Sequence, residues 1–182
     1  MTICVFCSAN EQMAPACFDA ARELGAWSAS CGHAIVVGGH DAGLMHAVSQ
    51  AAREAGGRVI GVVPRRISQM GKASVWMDVE IACEDLTDRK QEMMCRSDAF
   101  VVLPGGLGTL DELFTVAAMH TLGYHRKPIV LWNIGGYWDS LVACLDDLSA
   151  RGAMRGPWQQ HIQVARTLSD VQRMLLTAHA PA

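Results

Sequence analysis

Asp98-Ala99-Phe100-Val101-Val102-Leu103-Pro104-Gly105-Gly106-Leu107-Gly108-Thr109-Leu110-Asp111-Glu112 is the most informative stretch of this chain. Its first six residues form an apolar run that reads as a buried strand, and Leu113 to Met119 beyond it reads as a helix. Gly105, Gly106 and Gly108 therefore fall at a strand-to-helix turn, where backbone N–H groups and the positive end of a helix dipole converge on one point. Glycine leaves no Cβ between the backbone and an approaching anion. Glu112 lies one helical turn past Gly108, close enough to overlook a bound group. A glycine-rich turn can also do no more than connect its two elements. The loop lacks the Gly-Lys-Ser/Thr ending of a nucleoside-triphosphatase loop and the G-x-G-x-x-G spacing of a dinucleotide fold. With no lysine in it to reach a β- or γ-phosphate, it suits a monophosphate ester better than a triphosphate.

Outward from this turn, strand and helix patterns alternate along the chain. Strands are expected at Ile3 to Cys7, His33 to Val37, Arg58 to Val63, Val75 to Cys83, 99 to 103 and Pro128 to Trp132, with a short apolar piece near Ile162 to Ala165. Helices are expected at Ala14 to Ser30, Leu44 to Ala55, Thr87 to Met94 with Thr87 as a candidate N-cap, Tyr137 to Ala150 and Ser169 to His179. Arg65 to Lys72 has no firm apolar period and reads as an irregular loop. Short, continuously apolar strands alternating with helices predict an α/β, Rossmann-like, doubly wound parallel sheet with helices on both faces, and residues 1–182 as one domain. Ligands in such sheets sit beyond the carboxyl ends of the strands. Three loops are expected there: Cys7-Ser8-Ala9-Asn10, Gly38 to Gly43 and Pro104 to Thr109.

Composition narrows the function. The chain has 182 residues, 51% of them hydrophobic, enough for one sizeable core, and its net charge of −3 without a basic run argues against nucleic acid as a partner. No apolar stretch approaches the roughly 18 to 20 residues of a membrane span, and the N-terminus enters a strand without a charged lead, so a soluble protein without a signal peptide is expected. An odd count of seven cysteines fits reduced thiols in the cytoplasm. Cys4, Cys31, Cys83, Cys95 and Cys144 lie in or beside apolar segments. Cys4-x-x-Cys7 could be a redox or zinc pair, but on a strand an odd offset sends the two side chains to opposite faces. His40-Asp41 and His46 give no convincing metal set, and neither a metal nor a cofactor is expected.

Arg89 and Lys90 are adjacent cations near the start of a helix, the unfavourable end for positive charge. Such a pair commonly sits on a surface. Facing the ligand crevice, it would instead meet a phosphate or a ribose, and an arginine fork can hold two oxygens at once. With Glu112 opposite, the set suits cleavage of the N-glycosidic bond of a nucleoside monophosphate, whose oxocarbenium-like transition state a carboxylate stabilises. A non-catalytic nucleotide sensor or carrier could keep the same cradle, although it has no evident need of that acid.

Pro104 to Glu112 matches the PGGxGTxxE motif of the Lonely guy (LOG) family in full, and Asp88-Arg89-Lys90-Gln91-Glu92-Met93 resembles its Arg-Lys-x-x-Met region. Gly38-Gly39 with Gly43-Leu44-Met45 resembles the family's glycine-rich loop, and Cys4-Val5-Phe6-Cys7 its first strand; the likeness covers roughly residues 2 to 150. The resemblance implies a cytokinin riboside 5′-monophosphate phosphoribohydrolase, a hydrolase of cytokinin biosynthesis that releases free base and ribose 5-phosphate. Many sequences of this type carry a lysine decarboxylase label, yet no lysine here is marked out as a pyridoxal-phosphate anchor. The resemblance makes Arg89 and Glu112 the catalytic pair. It gives nucleotide binding to Lys90 and to Gly105, Gly106, Leu107, Gly108, Thr109, Leu110 and Asp111. Ser8, Gly38, Gly39 and Met45, on the neighbouring loops, complete the expected substrate contacts. It further implies a homodimer with the site near the subunit interface, compatible with the apolar run Leu113 to Leu122. His40 and His46 stand where the family usually has glycine and a small residue, and Gly71 and Val79 where glutamates are expected. The resemblance therefore speaks to the reaction class more than to the base.

Overall fold

The computed structural model describes residues 1–177. Seven strands form one sheet: β1 (Thr2–Phe6), β2 (Ala34–Val37), β3 (Val59–Pro64), β4 (Val79–Cys83), β5 (Ala99–Val102), β6 (Ile129–Trp132) and β7 (Gln163–Ala165). Between them run α1 (Pro15–Ser30), α2 (Gly43–Glu54), α3 (Arg65–Gln69), α4 (Leu86–Cys95), α5 (Leu107–Thr121) and α6 (Asp139–Ala150), with α7 (Leu168–Thr177) last. The spatial order is β4-β3-β2-β1-β5-β6-β7 and every pairing is parallel. This is the doubly wound α/β sheet the sequence predicts.

The central strands are apolar on both faces because helices cover both. Ile3, Val5 and Cys7 pack with α1, α2 and α7, whereas Cys4 and Phe6 pack with the opposite layer of α4, α5 and α6. The Cys4-x-x-Cys7 pair is thus divided between two cores. Burial pushes both thiols up, and the nearby Glu112 charge adds to that push, so both stay protonated. Cys31, Cys95 and Cys144 are exposed, contrary to the expectation from their apolar neighbours: each sits at the solvent face or end of its helix.

The chain winds outward from β1 to β4, returns through α4 and places β5 on the other side of β1. The connections leaving β1 and β5 then diverge to opposite faces and open a crevice at the carboxyl ends of the strands. Four local expectations need correction. Arg65 to Lys72 is not an irregular loop throughout, since α3 occupies Arg65–Gln69, tied by Ser68 Oγ to Glu80 (2.8 Å) and by Arg65 to Glu84 (2.6 Å). β4 begins at Val79 rather than Val75, because Ala73 and Ser74 bind back to the loop after β2. The cap of α4 is Asp85, whose carboxylate accepts the Thr87 and Asp88 N–H groups, rather than Thr87. And α5 begins at Leu107, within the glycine-rich turn, not at Leu113. The expected end of the last helix at His179 lies outside the described residues, among which no helix is long and apolar enough to cross a membrane.

Candidate active site

The three loops expected at the crevice are stitched together through Ser8. Its N–H donates to Pro104 O (3.1 Å), its carbonyl accepts from Leu44 N–H (2.9 Å), and its hydroxyl accepts from Asn10 N–H (3.0 Å). One residue after β1 thereby fixes the turn after β5 against the start of α2.

The early start of α5 sharpens the anion site. Its first intrahelical bond here is Leu110 N–H to Gly106 O (3.0 Å), so the N–H groups of Leu107, Gly108 and Thr109 have no acceptor within the helix. Gly106 and Gly108 border open space where a Cβ would stand. Thr109, by contrast, is buried and folds over Gly105: a Cβ there would lie 2.1 Å from Thr109 Oγ1. Leu107 is 87% exposed, and Leu110 packs against the core under α5.

Beside this helix start lies a buried ion pair. Arg89, on α4, donates from Nη1 to Glu112 Oε1 at 2.7 Å and from Nε to Val62 O at 3.2 Å. The Glu112 side chain is 4% exposed and that of Arg89 11%. Burial holds the Glu112 carboxyl above the usual carboxylate range, against the opposing pull of Arg89. Lys90 takes the neighbouring pair, with Nζ 2.8 and 2.9 Å from the two Asp111 carboxylate oxygens and 3.1 Å from Thr115 Oγ1. The helix start that looked unfavourable for two cations is balanced by Asp85, Asp88, Asp111 and Glu112.

Gly38 makes room for the Arg89 guanidinium. A Cβ on it would stand 1.7 Å from Arg89 Nη2, so the guanidinium lies directly on its α-carbon. Gly38→Ala is expected to displace Arg89 and lower kcat/KM by about 10- to 100-fold with the fold kept, which kinetics alongside circular dichroism will check. Gly39 is covered by Val63 and Met77, and Met45 packs against the core below α2.

Three features were missed from sequence. Asp41 joins His46 Nδ1 (2.8 Å) and Ser74 Oγ (2.9 Å) through one carboxylate oxygen, while Ser74 N–H binds Gly39 O (2.9 Å) and Trp76 meets the His46 ring edge-on. Residues 72–77 thus wall the crevice beside the loop after β2. Thr115 props Lys90 from one turn further along α5. Tyr137, from the turn after β6, donates its hydroxyl proton to Gly105 O (3.0 Å). The only signal for Tyr137 was its place after Gly135-Gly136 between a strand and a helix.

The chain is similar to known proteins in both sequence and fold. Residues 45–175 match the family model described as "Possible lysine decarboxylase". The chain is 38% identical over 175 residues to the probable cytokinin riboside 5′-monophosphate phosphoribohydrolase LOGL1 of Oryza sativa subsp. japonica, covering 95% of this chain and 78% of that protein. It is 37% identical over 179 residues to the cytokinin riboside 5′-monophosphate phosphoribohydrolase LOG5 of Arabidopsis thaliana, covering 98% and 78%. Among solved structures, the molybdenum cofactor binding protein of Rippkaea orientalis superposes with a TM-score of 0.73 at 24% identity, over 97% of this chain and 95% of that one. At that identity the likeness shows a shared fold.

Proposed function

The chain belongs to the LOG family, and we propose that it hydrolyses the N-glycosidic bond of a cytokinin-type or AMP-like nucleoside 5′-monophosphate to free base and ribose 5-phosphate. The observation that carries the reading is the buried Arg89–Glu112 pair, 2.7 Å apart, beside the open N-terminus of α5. The phosphate binds at the N–H groups of Leu107, Gly108 and Thr109, with Gly106 and Gly108 leaving room for it and the Lys90–Asp111 pair tying α4 to the same helix. That anchor supplies binding energy remote from the breaking bond. Glu112 faces the anomeric carbon, stabilises its growing positive charge and orients the attacking water. The water oxygen bonds to the anomeric carbon as the C–N pair leaves on the base, and one water proton ends on the base. Arg89 holds the carboxylate in place and meets the sugar–phosphate oxygens. Ser8, Gly38, Gly39 and Met45 shape the pocket, three of them from below through packing.

A lysine decarboxylase using pyridoxal phosphate would need a lysine anchor in the crevice. Lys90 Nζ is engaged by Asp111 and Thr115, Lys127 Nζ donates to Met94 O (2.7 Å), and Lys72 is exposed. Chromatography of reactions with AMP, isopentenyladenosine monophosphate, GMP, CMP and UMP tests the proposal. Release of base and ribose 5-phosphate from the adenine nucleotides is expected, and binding without release would favour a sensor.

Residues 1–182 act as one cytoplasmic domain that works as a homodimer. Leu107, Phe114, Ala118 and Leu122 form an exposed apolar stripe on α5, with Leu122 68% exposed, and the stripe begins at the phosphate loop itself. A partner seated there would lie beside the site. Phe114→Asp is expected to convert a dimer into a monomer in sedimentation runs at micromolar concentration; a wild-type chain sedimenting as a monomer would contradict the assignment.

A further inference from the structure

We infer that Tyr137 is a positioning residue for the phosphate end of the substrate, acting through the Gly105–Gly106 peptide; the inference rests on the hydrolase reading above. The Tyr137 hydroxyl donates to Gly105 O at 3.0 Å. That carbonyl and the Gly106 N–H belong to one planar trans peptide and point in opposite directions. Fixing the carbonyl towards Tyr137 therefore turns the Gly106 N–H away from it, to join the N–H groups at the head of α5. The lock is needed at this point because the peptide lies between two glycines, the residues that resist rotation least.

The tyrosine is itself held. Its N–H binds Ile134 O (3.0 Å), and its ring meets Trp138 edge-on with centroids 4.8 Å apart. Trp138 N–H donates to the side-chain oxygen of Asn133 (2.7 Å), and that buried amide donates to Asp139 (2.7 Å). The turn after β6 is thus a rigid bracket against the outer side of the phosphate loop. Its cost in ordering is met before any ligand arrives.

Tyr137→Phe in the full chain keeps the ring on Trp138 and removes only the hydroxyl. Calorimetry with ribose 5-phosphate and with adenine, together with KM and kcat for AMP, provides the test. Affinity for ribose 5-phosphate is expected to fall about three- to tenfold, in line with one lost hydrogen bond, and KM to rise by the same factor. Adenine binding and kcat should stay within about twofold of wild type, a split that general loosening of the fold would not produce. A variant that binds ribose 5-phosphate like wild type, or loses adenine affinity equally, overturns the inference. If wild type released no base while the variant still lost ribose 5-phosphate affinity, the hydrolase reading would fall and the role of Tyr137 would stand.

Discussion

Glu112→Gln is expected to lower turnover by about a thousandfold or more while leaving nucleotide affinity within a few-fold of wild type. The substitution is nearly isosteric and keeps an oxygen that can accept from Arg89 Nη1, now 2.7 Å from the carboxylate, so the pocket keeps its shape. What disappears is the negative charge, whose value lies in opposing the positive charge that grows on the sugar during bond breaking. Glu112 is 4% exposed, so little water screens that charge. The phosphate cradle of Leu107, Gly108 and Thr109 is untouched, hence the retained binding. In wild type the same burial holds the Glu112 carboxyl above its ordinary range, and the acid limb of the kcat/KM profile should lie above pH 4.5 for that reason. A variant with wild-type kcat would remove Glu112 from the reaction.

Arg89→Ala should damage both chemistry and binding, and stability in a pH-dependent way. Without the guanidinium the Glu112 carboxylate is left buried and uncompensated, a loss of about 3–5 kcal/mol for a broken buried pair. Arg89 pulls the Glu112 pKa down, so its removal raises that pKa further. The folded variant then holds the carboxyl proton more tightly than the unfolded chain does. Stability is therefore little affected below the unfolded pKa and falls as pH rises through the window up to the raised folded value, beyond which the loss is complete. Melting temperatures of wild type and variant should lie closer together at pH 4 than at pH 8. An equal gap at both would contradict the coupling.

The layout of the fold was legible because parallel strands covered on both faces are written as short apolar runs, as at Ile3 to Cys7 and Ala99 to Leu103. What was not legible was set by contacts between distant residues. α3 has no apolar period of its own and is held by Ser68–Glu80 and Arg65–Glu84. The start of α5 at Leu107 was hidden by glycine's poor helix propensity, which the docked turn overrides. Asp85 and Thr87 are both good caps, and only the geometry selects Asp85. At the site, the glycine-rich turn announced itself. The link between Arg89 and Glu112, 23 residues apart, has no signature in periodicity and was expected from the chemistry of a cation facing an acid beside that turn, with the family motif pointing the same way. Gly38 reads as a substrate contact of the loop after β2, and its need to be glycine, to make room for Arg89, shows only in the fold. Tyr137 comes from the turn after the neighbouring strand and is visible only when β6 lies beside β5.

The most direct test of the account is quantitation of both products from isopentenyladenosine 5′-monophosphate with wild-type protein and Glu112→Gln side by side. Equal amounts of free base and ribose 5-phosphate from wild type, with neither above background from the variant, is the result expected. Bound nucleotide that wild-type protein leaves intact, or equal release by both proteins, would contradict it.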